Sequence, residues 1–212
     1  MSHSIGVIIS SVRQPRICPQ IADFVVETIQ TSSSGAAAGR SKPTLKKIDL
    51  ANWTLPFTGE PGIPAHIKDP SEYSHDSTRE WSKEISSHDA FIFVSPQYNW
   101  GYPAALKNAI DHLYNEWVGK PAMIVTYGGY GGNKCAAQLE SVLNGLRMKP
   151  ATGHVELPYP GREWAAAKAF KGADLELDAK SAGSLWAEHR PTIVAVFEEV
   201  VKLLAEPSGS SN

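Results

Sequence analysis

Three short stretches carry residue types that could do chemistry together. Residues 10–20 read SSVRQPRICPQ, with hydroxyls at Ser10 and Ser11 and guanidinium groups at Arg13 and Arg16 just ahead of a helical pattern. Free N–H groups at a helix start, the helix dipole and two arginine forks suit a phosphate dianion. Serine and arginine near a helix start also serve as plain caps, and that role stays open for this loop. Residues 95–103 read SPQYNWGYP. Pro96 and Pro103 stiffen this loop, Gln97 and Asn99 offer amide donors and acceptors, and Tyr98, Trp100 and Tyr102 offer aromatic faces. A flat heteroaromatic ring with carbonyl and N–H edges matches that set; so does an aromatic cluster packed under a neighbouring subunit. Residues 127–133 read YGGYGGN, where glycine lets backbone pass close to a planar ligand or simply permits a tight turn. This is not a dinucleotide fingerprint: counted from Gly129, the last glycine of G-x-G-x-x-G would fall on Lys134.

The elements that must position these loops can be read from periodicity. SIGVIIS at 4–10, AFIFV at 90–94 and PAMIVTY at 121–127 are continuous apolar runs, the mark of strands buried on both faces. LKKIDL at 45–50 and GHVEL at 153–157 are shorter strand candidates. Helical spacing joins Ile17, Ile21, Phe24, Val25 and Ile29, then residues 77–87, and then Leu106, Ala109, Ile110, Leu113 and Trp117. It returns at Leu139, Val142, Leu143 and Leu146, and in a last helix through Ile193, Phe197, Val200, Val201 and Leu204. Strands alternating with helices predict an α/β fold, a doubly wound parallel sheet covered on both faces. The flavodoxin-like order 2-1-3-4-5 is expected, although a Rossmann order fits the same pattern. In such sheets ligands sit beyond the carboxyl ends of the strands where their order reverses. Here that crevice falls between strands one and three with strand four alongside, and the three unusual loops leave those three strands. A single domain over 1–205 is expected, with a flexible tail at 206–212 and a flexible loop at 31–43. Residues 158–189 form a long Gly/Ala-rich excursion, of a length that is usually functional or mobile.

Composition removes several function classes. The 212 residues carry 20 basic and 22 acidic side chains, a net charge of -2, which gives no field to recruit nucleic acid or anionic lipid. The apolar run at the N-terminus is too short for a signal core or a membrane span. Cys18 and Cys135 stand alone, without a C-x-x-C pair, and fit a reducing cytosol, so a cytoplasmic protein with no membrane partner is expected. The seven histidines show no dense ligand spacing, and no metal is expected. His112 is expected at a partly exposed surface or interface, and Lys107 with Asp111 as a minor surface ion pair. Cys18 could react if the helix start lowered its pKa, but the Cys-x5-Arg phosphatase pattern fails at Phe24.

The stretch PQYN at 96–99, running into GYPAALKNAID at 101–111, resembles the signature of the NADPH-dependent FMN reductase family, notably its small quinone and azo-dye reductases. S-x-R-x-x-R at 11–16 is similar to that family's phosphate loop, and YGG at 127–129 to its third flavin loop. Ser10 and Cys18 stand where many members have glycine. The resemblance implies a flavodoxin-like fold, bound FMN and hydride acceptance from NADPH or NADH. By position it implies that Ser11, Arg13, Arg16 and the backbone near Ile17 and Cys18 hold the FMN phosphate. Pro96, Gln97, Tyr98 and Asn99 would line one side of the ring, and Tyr127, Gly128 and Gly129 the other. No catalytic side chain is expected, because the flavin carries the chemistry. The acceptor would be a quinone, azo dye, ferric chelate or flavin, reached by ping-pong kinetics. A homodimer or dimer of dimers is implied, with Tyr114 and Trp117 as candidate contacts and core packing as their alternative. Two other classes remain at this stage: a flavodoxin-type electron carrier, and a regulatory protein whose partner affinity follows flavin redox state.

Overall fold

The computed structural model describes residues 3–32 and 42–206, so most of the loop expected at 31–43 and of the tail at 206–212 lies outside the described residues. The sheet forms from β1 (Ser4–Ile9), β2 (Thr44–Asp49), β3 (Ala90–Pro96), β4 (Pro121–Gly128), β5 (Lys149–Pro150) and β6 (Val155–Pro158). All pairings are parallel, in the order β2-β1-β3-β4-β5 with β6 also on β4. This is the expected flavodoxin-like order. The fifth place is filled by two pieces. Lys149 and Pro150 pair with the start of β4, and Val155 to Pro158 with its end. Sequence reading found only the second piece, because Pro150 lacks a ladder donor and Gly153 breaks the run.

The continuous apolar runs have the expected cause. Ile5, Val7 and Ile9 of β1, Ile92 and Val94 of β3, and Met123, Val125 and Tyr127 of β4 face one layer. The intervening Ile8, Phe91, Phe93, Ala122 and Ile124 face the other. The first layer is covered by α1 (Cys18–Thr31) and α6 (Arg190–Ala205), the second by α2 (Asp76–Ser86), α3 (Ala104–Asp111) and α4 (Asn133–Gly145). β2 is an edge strand, with Lys46 and Lys47 exposed.

Two readings of the third helix are corrected. Its periodicity predicts one face through Trp117, but α3 ends at Asp111. Asn115 lies beyond, its amide donating to the carbonyls of Ile67 (2.6 Å) and Pro64 (3.2 Å), contacts that favour a turn. Trp117 is fully buried and its indole N–H donates to Ile110 O (3.2 Å), so core packing accounts for it. His112 is buried rather than partly exposed: its Nδ1 lies 2.8 Å from Asn108 O, one helical turn back. The Lys107–Asp111 ion pair forms at 2.6 Å.

The excursion at 158–189 is packed. It holds α5 (Arg162–Ala167) and single 3-10 turns at 169–171 and 187–189. Ala165, Ala169, Leu175, Ala179 and Trp186 join the α1/α6 layer. The Trp186 indole N–H donates to Pro158 O (2.7 Å). Gln20 of α1 clamps the segment from both sides of its amide, donating to Ala173 O (3.0 Å) and accepting from Leu175 N–H (2.8 Å). Among the described residues no helix is long and apolar enough to cross a membrane, and no cluster of three or more His, Cys, Asp or Glu could hold a metal.

Candidate functional site

A cavity of about 850 Å³ opens at the carboxyl ends of β1, β3, β4 and β6. The first loop contributes Arg13, Pro15, Arg16 and Ile17, the middle loop Pro96, Gln97 and Tyr98, and the third Tyr127, Gly128, Gly129 and Tyr130. Ser11, Cys18 and Asn99 are not part of this lining: Ser11 and Cys18 are buried, and Asn99 is exposed.

The first loop is built around an open helix start. Ile17 is the N-cap of α1, no side chain caps it, and Pro19 occupies the first turn. The plain capping role for this loop is therefore not the one taken. Arg16 makes a bidentate pair with Asp49 at the end of β2 (2.7 and 2.6 Å) and donates to Ser11 O (2.6 Å). Burial works to raise the Asp49 carboxyl pKa, but the Arg16 and Ala51 N–H donors outweigh it and hold the group below its ordinary range. The hydrogen bond from the Arg16 guanidinium to Asp49 raises the arginine in turn. Arg16 thus braces the loop, and Arg13 has no ion pair among the described residues, its guanidinium 3.7 Å from the Tyr98 ring centroid. Behind them Ser11 Oγ meets the Tyr98 hydroxyl (2.8 Å) and Ser10 Oγ donates to Val94 O (2.9 Å), tying this loop to β3.

The middle loop closes in a two-residue turn. Tyr98 and Gly101 exchange both backbone hydrogen bonds (2.8 and 3.0 Å), with Asn99 at φ 47° and Trp100 at φ 70°. Asparagine tolerates that region, whereas a bulky aromatic there is an outlier. The Trp100 ring is left 72% exposed, beside the Lys134 ammonium at 5.6 Å. Gln97 differs from expectation. Its side-chain oxygen accepts from the N–H groups of Lys134 and Cys135 (3.0 and 3.2 Å), capping α4, and its backbone N–H donates to Tyr127 O (3.0 Å), so its amide NH2 is the donor left without a partner among the described residues.

The third loop is pressed against the end of its own strand. Gly132, the N-cap of α4, sits at φ 91°. A Cβ there would stand 2.7 Å from Thr126 Cβ and 3.0 Å from Tyr127 N. Thr126 Oγ1 donates to Gly131 O (2.9 Å) and completes the fold-back. Burial pushes the Tyr127 phenol well above its ordinary pKa and pushes the Cys18 thiol up as well, so both stay protonated near neutrality. Cys18 is not an activated thiol.

A fourth segment lines the cavity that motif reading missed: Tyr159, Gly161, Arg162, Ala165, Ala169 and Phe170. The Tyr159 N–H donates to Gly128 O (2.9 Å), so it sits against the third loop. The length of the excursion was its only signal. Among the described residues the lining contains three arginines and no Asp or Glu. Its volume falls within the roughly 300–1,000 Å³ of sites that bury drug-sized ligands. A phosphate-bearing aromatic fits: an open helix start with Arg13 at one end, and backbone with aromatic and glycine residues along the rest.

The sequence profile described as NADPH-dependent FMN reductase matches residues 3–159. An NAD(P)H-dependent FMN reductase of Saccharomyces cerevisiae is 48% identical over 151 residues, 70% of this chain and 78% of the yeast protein. One from Nectria sp is 32% identical over 206 residues, 96% of this chain and 98% of that protein. An oxidoreductase structure from Corynebacterium diphtheriae superposes with a TM-score of 0.62 at 18% identity, covering 97% of this chain and 98% of that one. A flavoenzyme NAD(P)H:(acceptor) oxidoreductase from Paracoccus denitrificans gives 0.58 at 22%, covering 94% and 98%. At those identities the structural likeness speaks for the fold alone.

Proposed function

The chain belongs to the NADPH-dependent FMN reductase family, and from that premise we propose that its cavity holds FMN and that it is an NAD(P)H-dependent oxidoreductase for quinone, azo, ferric or flavin acceptors. One observation carries the reading: three loops remote in sequence meet around a single cavity whose open helix start and free Arg13 suit a phosphate. FMN, when bound, supplies the two-electron chemistry, and the protein supplies position and electrostatics.

The N–H groups near Ile17 and Cys18, with Arg13, hold the phosphate, while Arg16 acts through Asp49 to keep the loop in place. The backbone of Pro96, Gln97 and Tyr98 flanks one side of the ring, and Tyr127, Gly128 and Gly129 the other. Ser11 and Asn99 work indirectly, Ser11 by holding the Tyr98 hydroxyl and Asn99 by forming the turn. Backbone N–H groups in the loop 127–132, other than that of Gly131, which donates to Gly128 O (3.2 Å), would stabilise negative charge at a ring edge facing them. With one cavity to share, donor and acceptor take turns, which is ping-pong kinetics. A homodimer or dimer of dimers is supported by the exposed apolar side chains Phe57, Ile63 and Trp100. The two buried free thiols suit the cytosol.

Purified protein titrated with FMN should bind it stoichiometrically, and the bound cofactor should bleach under anaerobic NADPH. Protein that takes up no FMN would sink the proposal. Initial-rate lines with varied NADPH and quinone should be parallel; intersecting lines would remove the ping-pong scheme.

A further inference from the structure

The cavity has a wall that the motif loops do not supply. Gly161, Arg162, Ala165, Ala169 and Phe170 lie beyond the 3–159 match to the family profile, yet all line the cavity. The wall is fixed at both ends. Tyr159 continues β6 against Gly128. At the other end Gly172, at φ 61°, lies so close to the first loop that a Cβ would stand 2.8 Å from Pro15 Cβ. The chain between therefore runs from β6 back to the loop that leaves β1, with Arg162 near the β6 end. Along the order β1-β3-β4-β6 those ends are three strand spacings apart, about 14 Å. The phosphate of FMN is served at the β1 end by Arg13 and the start of α1. Arg162, just beyond Tyr159, is a further cationic side chain in the lining.

Arg162 has no hydrogen-bond or ion-pair partner among the described residues, whereas Arg16 is neutralised by Asp49. Among the described residues no carboxylate lines the cavity to offset it, in a chain whose net charge is -2. Two exposed aromatics, Tyr130 (83%) and Phe170 (67%), also face this space from different segments. A flat ring bearing an oxyanion satisfies both features together.

We propose that this wall selects a planar aromatic partner carrying an oxyanion, with Arg162 receiving the phosphate, sulfonate or carboxylate and Tyr130 and Phe170 flanking the ring. The inference rests on the FMN reductase reading of the cavity. The oxyanion can arrive on the donor, as the extra ribose phosphate that distinguishes NADPH from NADH, or on an acidic acceptor.

The test uses Arg162→Gln and Arg162→Lys in the FMN-loaded protein. Substrates are a naphthoquinone sulfonate against a neutral methyl naphthoquinone, and NADPH against NADH. A partly exposed charge pair predicts a roughly three- to ten-fold fall in kcat/KM for the charged member of one pair in Arg162→Gln. Arg162→Lys should restore most of it, and FMN affinity should stay unchanged. A fall confined to the sulfonate assigns the oxyanion to the acceptor; one confined to NADPH assigns it to the donor. Calorimetric binding of naphthalene sulfonate, which is redox-inert, should weaken by the same factor if the acceptor carries the charge. Equal responses of charged and neutral partners overturn the proposal, and so does loss of FMN uptake in Arg162→Gln. Wild-type protein that binds no FMN defeats the parent reading instead, an outcome these variants do not produce.

Discussion

The glycine loop after β4 and the wall after β6 face the same cavity but are held in place by opposite means. The loop is fixed locally: Thr126 Oγ1 bonds Gly131 O, and Gly132 adopts a left-handed conformation with no room for a side chain. The wall is fixed by distant partners. Trp186 packs against Phe24 and Trp164, with ring centroids 6.4 and 6.2 Å apart, and Trp164 against Tyr159 at 5.4 Å. Backbone geometry that only certain residues can adopt forces a recognisable pattern into the sequence. Burial needs only apolar volume in the right place, which many sequences supply.

The largest effect expected from this contrast is at Trp186. Trp186→Ala empties a fully buried site, at a cost of about 3–5 kcal/mol from a typical total of about 5–15. Because that loss takes a large share of the total stability, Trp186→Phe is the sharper probe. It keeps an aromatic ring and leaves Pro158 O without its donor, costing about 1–3 kcal/mol in a thermal melt. If the wall is a separate unit, FMN affinity survives Trp186→Phe while acceptor KM shifts. FMN affinity falling in step with acceptor KM would break the contrast.

Gly132→Ala probes the other side. A left-handed alanine costs about 1–3 kcal/mol of backbone strain, and its Cβ would meet Thr126 and the Tyr127 backbone, neither a flexible side-chain tip. FMN titration should show weakened uptake, while the tryptophan emission of the apoprotein stays as in the wild type. Unaltered FMN binding would show that the loop tolerates more freedom than its geometry implies.

The sheet was legible in the sequence because Val- and Ile-rich runs of this length have few other uses, but the alternation of elements fitted a Rossmann order equally, and the strand pairings decide for the flavodoxin-like one. Family resemblance reached the loops through PQYN and YGG, whose residue types answer to backbone demands. What stayed hidden depended on partners far along the chain. Nothing near Gln97 reveals that its amide caps α4, and nothing near Arg16 reveals Asp49 opposite. His112 misled because a polar residue near a helix end is usually exposed, whereas here its ring turns back on Asn108 O. Arg162 gave no sign of its own, since it follows the end of β6 in a segment that only its length marked.

The smallest expected effect separates the two regions by pH. Arg16 holds the Asp49 carboxyl below its ordinary value of 3.8, so the bond's stabilisation is fully present above that value and is lost as pH falls through the folded one. Asp49→Asn keeps an acceptor for Arg16 but gives up the charge, a loss of about 1 kcal/mol near neutrality for a partly exposed pair. The stability gap between wild type and Asp49→Asn should therefore be constant from neutral pH down to the carboxylate range, and then close in acid. The gap for Trp186→Phe has no titrating group behind it and should not change over the same range. Melts of the three proteins at matched pH decide the matter. A Trp186→Phe gap that also closes in acid would mean that the wall leans on the phosphate loop, and that the contact of Gly172 with Pro15 carries energy between them as well as fixing position.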